Sequence, residues 1–280
     1  MVNASLTTGS ALSLPSDTYI YSLARLQSSS NSAACIASPS SLVLFDSNSL
    51  SAVHHIRKCH TDSVTALVSA GSRFATAGRD GLVKLWDDRA KSESASTTLR
   101  GKDGVGFSAI AASCNLIAAG TENTRDGPGD VSVLVWDARS PGTALRTYAD
   151  SHNDTITALT FHPTAASPLL LSSSTDALLT LFDTSQPDED DAVAQVFNHS
   201  AAVHCASFLA PDEVAAISAD EQLGVYQLLT PEAIANEDAV AASTQYGDVR
   251  PNLSAGYVVD LLRGASPNEP QTWVASGNLE

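Results

Sequence analysis

Short apolar runs alternate with polar punctuation along this chain, and the runs have the length and period of strands. Residues 60–99 set the pattern. "SVTALVSA" opens on β-branched residues, and "RFATAG" is a second run. "LVKLWD" alternates, with Leu82, Lys84 and Trp86 on one face and Val83 and Leu85 on the other. "RDG" between the second and third runs is a tight-turn signal, because Asp and Gly accept hairpin backbone angles. The polar "STTLRG" predicts a fourth, outer strand. Helical periodicity is absent until "PEAIANEDAVAAS" (231–243), which predicts one or two turns with Pro231 at a tolerated first position.

The unit recurs. Aromatic ends fall at Phe45-Asp46, Trp86-Asp87, Trp136-Asp137 and Phe182-Asp183, with Tyr226-Gln227 a weaker fifth, at spacings of 41, 50, 46 and 44 residues. Four short strands per period predict the blades of a β-propeller, a ring of small sheets that leaves few exposed edges. The expected fold is all-β. A disordered segment covers 1–16, and a propeller domain covers 17–280, with blades ending near 46, 87, 137, 183 and 227 and a partial blade over 245–280. "VVDLLRGASPNEPQTWVASGN" reads as the first two strands of a sixth blade. Seven blades need roughly 300 residues. The expectation is therefore an incomplete seven-bladed ring, with a compact variant closed by residues 1–30 as the alternative.

Cys59-His60 followed by "FATAGRDGLVKLWD" (74–87) resembles the WD-repeat family, over residues 17–229 and more weakly over 245–280. More narrowly, "AAGTEN", "GDVSVLVWDAR", "SHNDTITALTFHP" and "DALLTLFDTSQPDEDDAVAQVFN" resemble the WD repeat-containing protein 89 group.

One constellation carries possible chemistry. His60, Thr76, Asp80 and Trp86 recur with matching turn spacing as His152, Ser172, Asp176 and Phe182. The family resemblance implies a hydrogen-bonded chain running from indole to hydroxyl to imidazole to carboxylate. The same groups compose a nucleophilic triad. A triad needs one reactive copy, whereas this set repeats at one place in successive units, and no GxSxG elbow accompanies it. A structural network is the expected role, and no catalytic residue is assigned. Other units have lost members. The unit ending at Trp136 has Asp103 or nothing in place of the imidazole, and Ala118 in place of the hydroxyl. The unit ending at Tyr226 keeps His199 and Asp220 but has Ala216. The first unit has Pro39 at its turn and no clear histidine.

Charge narrows the partners. The net charge is −16; residues 1–100 hold nine Lys/Arg and seven Asp/Glu, and residues 101–280 hold six and twenty-four. Phosphate repulsion disfavours nucleic acid. No apolar stretch is long enough to span a bilayer, and the N-terminal residues lack the charge and apolar run of a secretory signal. Four scattered cysteines without CxxC suit a reduced intracellular protein of the cytoplasm or nucleus. Histidine spacing predicts no metal site, and the glycine pattern predicts no phosphate cradle or cofactor. "DTSQPDEDDA" (183–192) reads as a solvated loop, with a patch for a basic partner as the alternative. The family resemblance places a partner-facing rim on the loop into each blade and on the turn between its second and third strands. That rim is Asp62 and Arg79 in one blade and Asn153 and Thr175 in another, with Ala219 in the fifth. The function implied is a non-enzymatic scaffold for proteins or peptides, a monomer or a subunit of a larger complex. The alternatives are a structural subunit completed by a partner and an enzyme with its site in the central channel.

Overall fold

The computed structural model describes residues 11–26, 31–90, 92–102, 104–113, 115–140, 142–230, 233, 240–263 and 272–278. The first sheet comprises β1 (Ile20–Arg25), β2 (Ser32–Ala37), β3 (Ser41–Asp46) and β4 (Ala52–Ile56). The second comprises β5 (Val64–Ala70), β6 (Arg73–Gly78), β7 (Leu82–Trp86) and β8 (Thr97–Arg100). The third comprises β9 (Phe107–Ala112), β10 (Leu116–Thr121), β11 (Val133–Asp137) and β12 (Arg146–Tyr148). The fourth comprises β13 (Ile156–Phe161), β14 (Leu169–Ser174), β15 (Leu178–Asp183) and β16 (Val193–Asn198). The fifth comprises β17 (Val203–Ala210), β18 (Glu213–Ser218), β19 (Gln222–Gln227) and β20 (Ser243–Asp248). Each is an antiparallel meander in sequence order, and a two-stranded sheet of β21 (Tyr257–Arg263) and β22 (Thr272–Gly277) follows. Among the described residues, the single-turn helices α1 (Glu189–Ala192) and α2 (Arg250–Leu253) sit in connections.

Successive sheets bury their faces against each other, as propeller blades do. Leu42, Leu44 and Ile56 of the first blade meet Leu67, Phe74 and Trp86 of the second. Val83, Leu85 and Leu99 meet Phe107, Ile117 and Trp136. Val133 and Tyr148 meet Ile156, Leu170 and Phe182. Leu179 and Phe197 meet Phe208 and Tyr226, and Ile217 meets Val258 and Leu261. Each second strand (β2, β6, β10, β14 and β18) is half-buried at its first residue and buried at the next five. A strand covered on both faces reads as a continuous apolar run, as "SAACIA", "RFATAG" and "EVAAIS" do.

The recurring acid after each aromatic has a local cause. Asp46, Asp87, Asp137 and Asp183 each accept a bond at Oδ1 from a backbone N–H two residues on, at 3.0, 3.0, 2.9 and 2.9 Å. This Asx turn ends the third strand and starts the reversal toward the fourth. The outer strands β8, β12 and β20 are partly or largely exposed, which explains their weak apolar signal. Consequently Ser243–Asp248 closes the fifth blade, and the sixth sheet begins at Tyr257 rather than at 245. Of the segment 1–16 read as disordered, residues 1–10 lie outside the described residues. Leu12 and Leu14 pack on Ala33, Cys35, Val43 and Phe45 of the first blade. The helix expected over 231–243 falls mostly outside the described residues.

Candidate functional site

In the second blade, the loop before β5 carries His60, β6 carries Thr76, the following turn carries Asp80, and β7 carries Trp86. His60 Nδ1 lies 2.8 Å from Asp80 Oδ1, and Nε2 lies 2.8 Å from Thr76 Oγ1. Trp86 Nε1–H donates to the same hydroxyl oxygen at 2.9 Å. A carboxylate only accepts, so Nδ1 carries the imidazole proton and the threonine hydroxyl donates to Nε2. Asp80 also accepts from the Thr61 N–H at 3.0 Å. Gly78 is required here, because a Cβ would strike the His60 ring. Burial holds His60 below the ordinary imidazole value, against the pull of Asp80. Burial pushes Asp80 upward, but the bonds from His60 and Thr61 outweigh it and leave its carboxyl below the ordinary value. The pair is thus a neutral imidazole hydrogen-bonded to a carboxylate. Every polar atom is spent internally, and none is presented to a substrate.

The fourth blade repeats the arrangement. His152 Nδ1 is 3.0 Å from Asp176 Oδ2, and Nε2 is 2.7 Å from Ser172 Oγ. Asn153 N–H and Leu178 N–H bond the same carboxylate at 3.0 and 2.9 Å. Phe182 replaces the indole and stacks on Tyr148, with ring centres 4.5 Å apart.

The third and fifth blades differ. Ala118 offers Trp136 no acceptor, and the buried Trp136 Nε1 has no partner among the described residues. Asp103 lies outside the described residues. The fifth blade keeps His199 and Asp220 but does not pair them: His199 Nδ1 lies 2.7 Å from Tyr226 Oη, and Nε2–H donates to the Gln222 carbonyl at 3.1 Å. The tyrosine hydroxyl takes the place of both hydroxyl and indole, and accepts from Gln245 Nε2 at 3.1 Å. The imidazole therefore carries its proton on the opposite nitrogen from His60, while Asp220 remains exposed.

A second repeated bond builds the rim. The first residue after each second strand donates its N–H to the segment that leads into the blade. The pairs are Ser38 to Tyr19, Arg79 to Ser63, Glu122 to Gly106, Thr175 to Thr155 and Ala219 to Ala202, at 2.8–3.1 Å. Arg79 and Asp62 thereby share one edge of the second blade, and Thr175 and Asn153 one edge of the fourth. Asp62, Arg79, Asn153 and Ala219 are exposed and Thr175 is half-buried. Arg79 is not a free cation. It forms a bidentate pair with Glu122 of the next blade, Nε to Oε2 at 2.8 Å and NH2 to Oε1 at 2.7 Å. Glu122 was missed as its partner; the unusual "AGTE" at 119–122 was the available signal.

Two further features escaped the sequence. Thr65 Oγ1 donates to the Phe107 carbonyl at 2.7 Å, and Ser108 Oγ to the Ile156 carbonyl at 2.6 Å, so inner strands are stitched blade to blade. In the acidic insertion, expected to be a solvated loop, Glu189 accepts the N–H groups of Ala149, Asp150 and Ser151 at 2.5, 3.1 and 2.9 Å. One of the five carboxylates is therefore a clamp between the third and fourth blades.

Among the described residues, no group of three or more His, Cys, Asp or Glu could hold a metal, and no helix is long and apolar enough to cross a membrane. Burial pushes the Cys59 and Cys205 thiols up to about 11 and about 12, which removes their nucleophilic thiolates.

The family model described as "WD domain, G-beta repeat" matches residues 51–87. An uncharacterized WD repeat-containing protein of Schizosaccharomyces pombe is 32% identical over 226 residues, covering 77% of this chain and 66% of its own length. An uncharacterized WD repeat-containing protein of Saccharomyces cerevisiae is 32% identical over 196 residues, covering 70% of this chain and 48% of its own length. The chain thus spans about two thirds of one relative and about half of the other. The crystal structure of the computationally designed Ika8 protein matches the fold with a TM-score of 0.65 at 20% identity, over 91% of this chain and 68% of that one.

Proposed function

The chain belongs to the WD-repeat family, and we propose that it is a non-enzymatic scaffold that presents its propeller rim to protein or peptide partners. The observation that carries this reading is the internal use of the polar groups. The one recurring set with triad composition is buried, repeated and fully bonded to itself. Nucleophilic catalysis by such a triad needs an accessible nucleophile. The exposed, chemically varied positions lie instead on the rim, where Asp62, Asn153, Thr175 and the Arg79–Glu122 pair are the proposed contact residues. Rigid strands carrying variable loops suit recognition. The buried free thiols at Cys35, Cys59 and Cys205 support a reducing compartment, the cytoplasm or nucleus.

The test is affinity purification with the wild-type chain and two rim variants, Asp62→Arg/Asn153→Arg and Arg79→Glu, compared by quantitative mass spectrometry. Loss of a defined set of bound proteins in at least one variant, with unchanged thermal unfolding, supports the reading. An identical bound set in all three removes this rim.

A further inference from the structure

Resting on that scaffold reading, we propose that the third blade carries a pocket for a lysine or arginine side chain of a partner peptide. The turns that join the second and third strands of the second, fourth and fifth blades span residues 79–81, 175–177 and 219–221. In the third blade the same connection runs from 122 to 132. Loops that outgrow the minimal turn are commonly functional. This one is ordered by its own bonds. Asn123 Nδ2 donates to the Gly127 carbonyl at 2.8 Å and to Asp154 Oδ1 at 3.1 Å, and Gly129 N–H reaches the Asn153 carbonyl at 2.8 Å.

Behind the loop lies a cavity of about 310 Å³. Val105, Val131 and Leu134 give it apolar walls, and Asp130 and Asp150 give it two carboxylates. Asp150 has no ion pair among the described residues, and the exposed Asp130 has only a loose contact with Arg125 at 4.0 Å. The Glu189 clamp on the backbone of residues 149–151 fixes Asp150 in place and holds the acidic insertion beside it. The two insertions, far apart in sequence, both bond to the segment 149–154. A cavity with apolar walls and two carboxylates on its lining fits a side chain with an aliphatic stem and a cationic head. Lys102 on the cavity wall offers a complementary contact to a carboxylate or carbonyl of the same peptide. The cavity lies between the third blade and the connections at its two ends, and the acidic excess of residues 101–280 matches a basic partner.

The experiment is fluorescence anisotropy with labelled Gly-Leu-Arg-Glu-Gly and its glutamine counterpart, Gly-Leu-Gln-Glu-Gly. The proteins compared are wild type, Asp130→Asn/Asp150→Asn, and the remote control Asp17→Asn/Glu93→Gln. Wild type and control are expected to prefer the arginine peptide by about tenfold, falling below about twofold in the pocket variant. No preference in wild type, a preference retained in the pocket variant, or an equal loss in the control would each overturn the pocket. If the purification above finds rim-dependent partners while the peptide shows no preference, the pocket falls and the scaffold stands.

Discussion

The second and third blades solve one packing problem in two ways. Both end their third strand on a buried tryptophan, and both press that ring against a neighbouring blade. In the second blade the indole N–H, a threonine, a histidine and an aspartate satisfy one another. In the third, Phe107 meets Trp136 edge-on with centres 5.9 Å apart, and the indole N–H is left without a partner. Apolar burial is therefore sufficient to form a blade, and the polar chain is an addition. A buried unpaired donor forfeits about 1–3 kcal/mol, less than a fully buried indole gains from packing, so the third blade tolerates the loss.

The strongest way to break this comparison is to remove the rings. Trp86→Ala and Trp136→Ala should each destabilise by about 3–5 kcal/mol in urea titrations, because both leave a large cavity. A difference between the two much larger than the roughly 1 kcal/mol of the one hydrogen bond that only Trp86 makes would mean that packing is not the shared element. Next in size is the hydroxyl. Thr76→Ala strands both the Trp86 N–H and the His60 ring, and a loss of about 2 kcal/mol is expected by the same measurement. The mirror change Ala118→Thr gives Trp136 an acceptor and should gain up to about 1 kcal/mol, unless the added methyl overpacks the strand. Trp→Phe is a sharper and smaller probe. At position 86 it should cost about 1 kcal/mol more than at 136, because only Trp86 loses a hydrogen bond.

The smallest effect expected is acid sensitivity. Burial depresses His60, so the folded state stays neutral while the unfolded chain takes a proton as pH falls through about 6.5. The unfolded state then binds more protons, and stability drops as the pH falls below that value. Burial depresses His199 in the same sense. The dependence of unfolding free energy on pH between 7 and 5 should be shallower in His60→Gln than in wild type. Equal slopes would show that His60 is not held neutral.

The sequence by itself determined the blades. Five aromatic ends at a mid-forties period, the period-two run "LVKLWD" and continuous runs such as "RFATAG" follow from which faces are covered, and coverage is written in residue type. It also determined the His60–Thr76–Asp80–Trp86 spacing, because all four members belong to one blade and lie within one repeat. Tertiary structure alone decided what crosses between blades. The Arg79–Glu122 pair, the Thr65 and Ser108 stitches and the Glu189 clamp join residues that are remote in the chain, and no local period encodes them. The inverted imidazole of His199 belongs to the same class. Its partner is chosen by where the longer Tyr226 side chain places its hydroxyl, a matter of reach in three dimensions rather than of spacing along the chain.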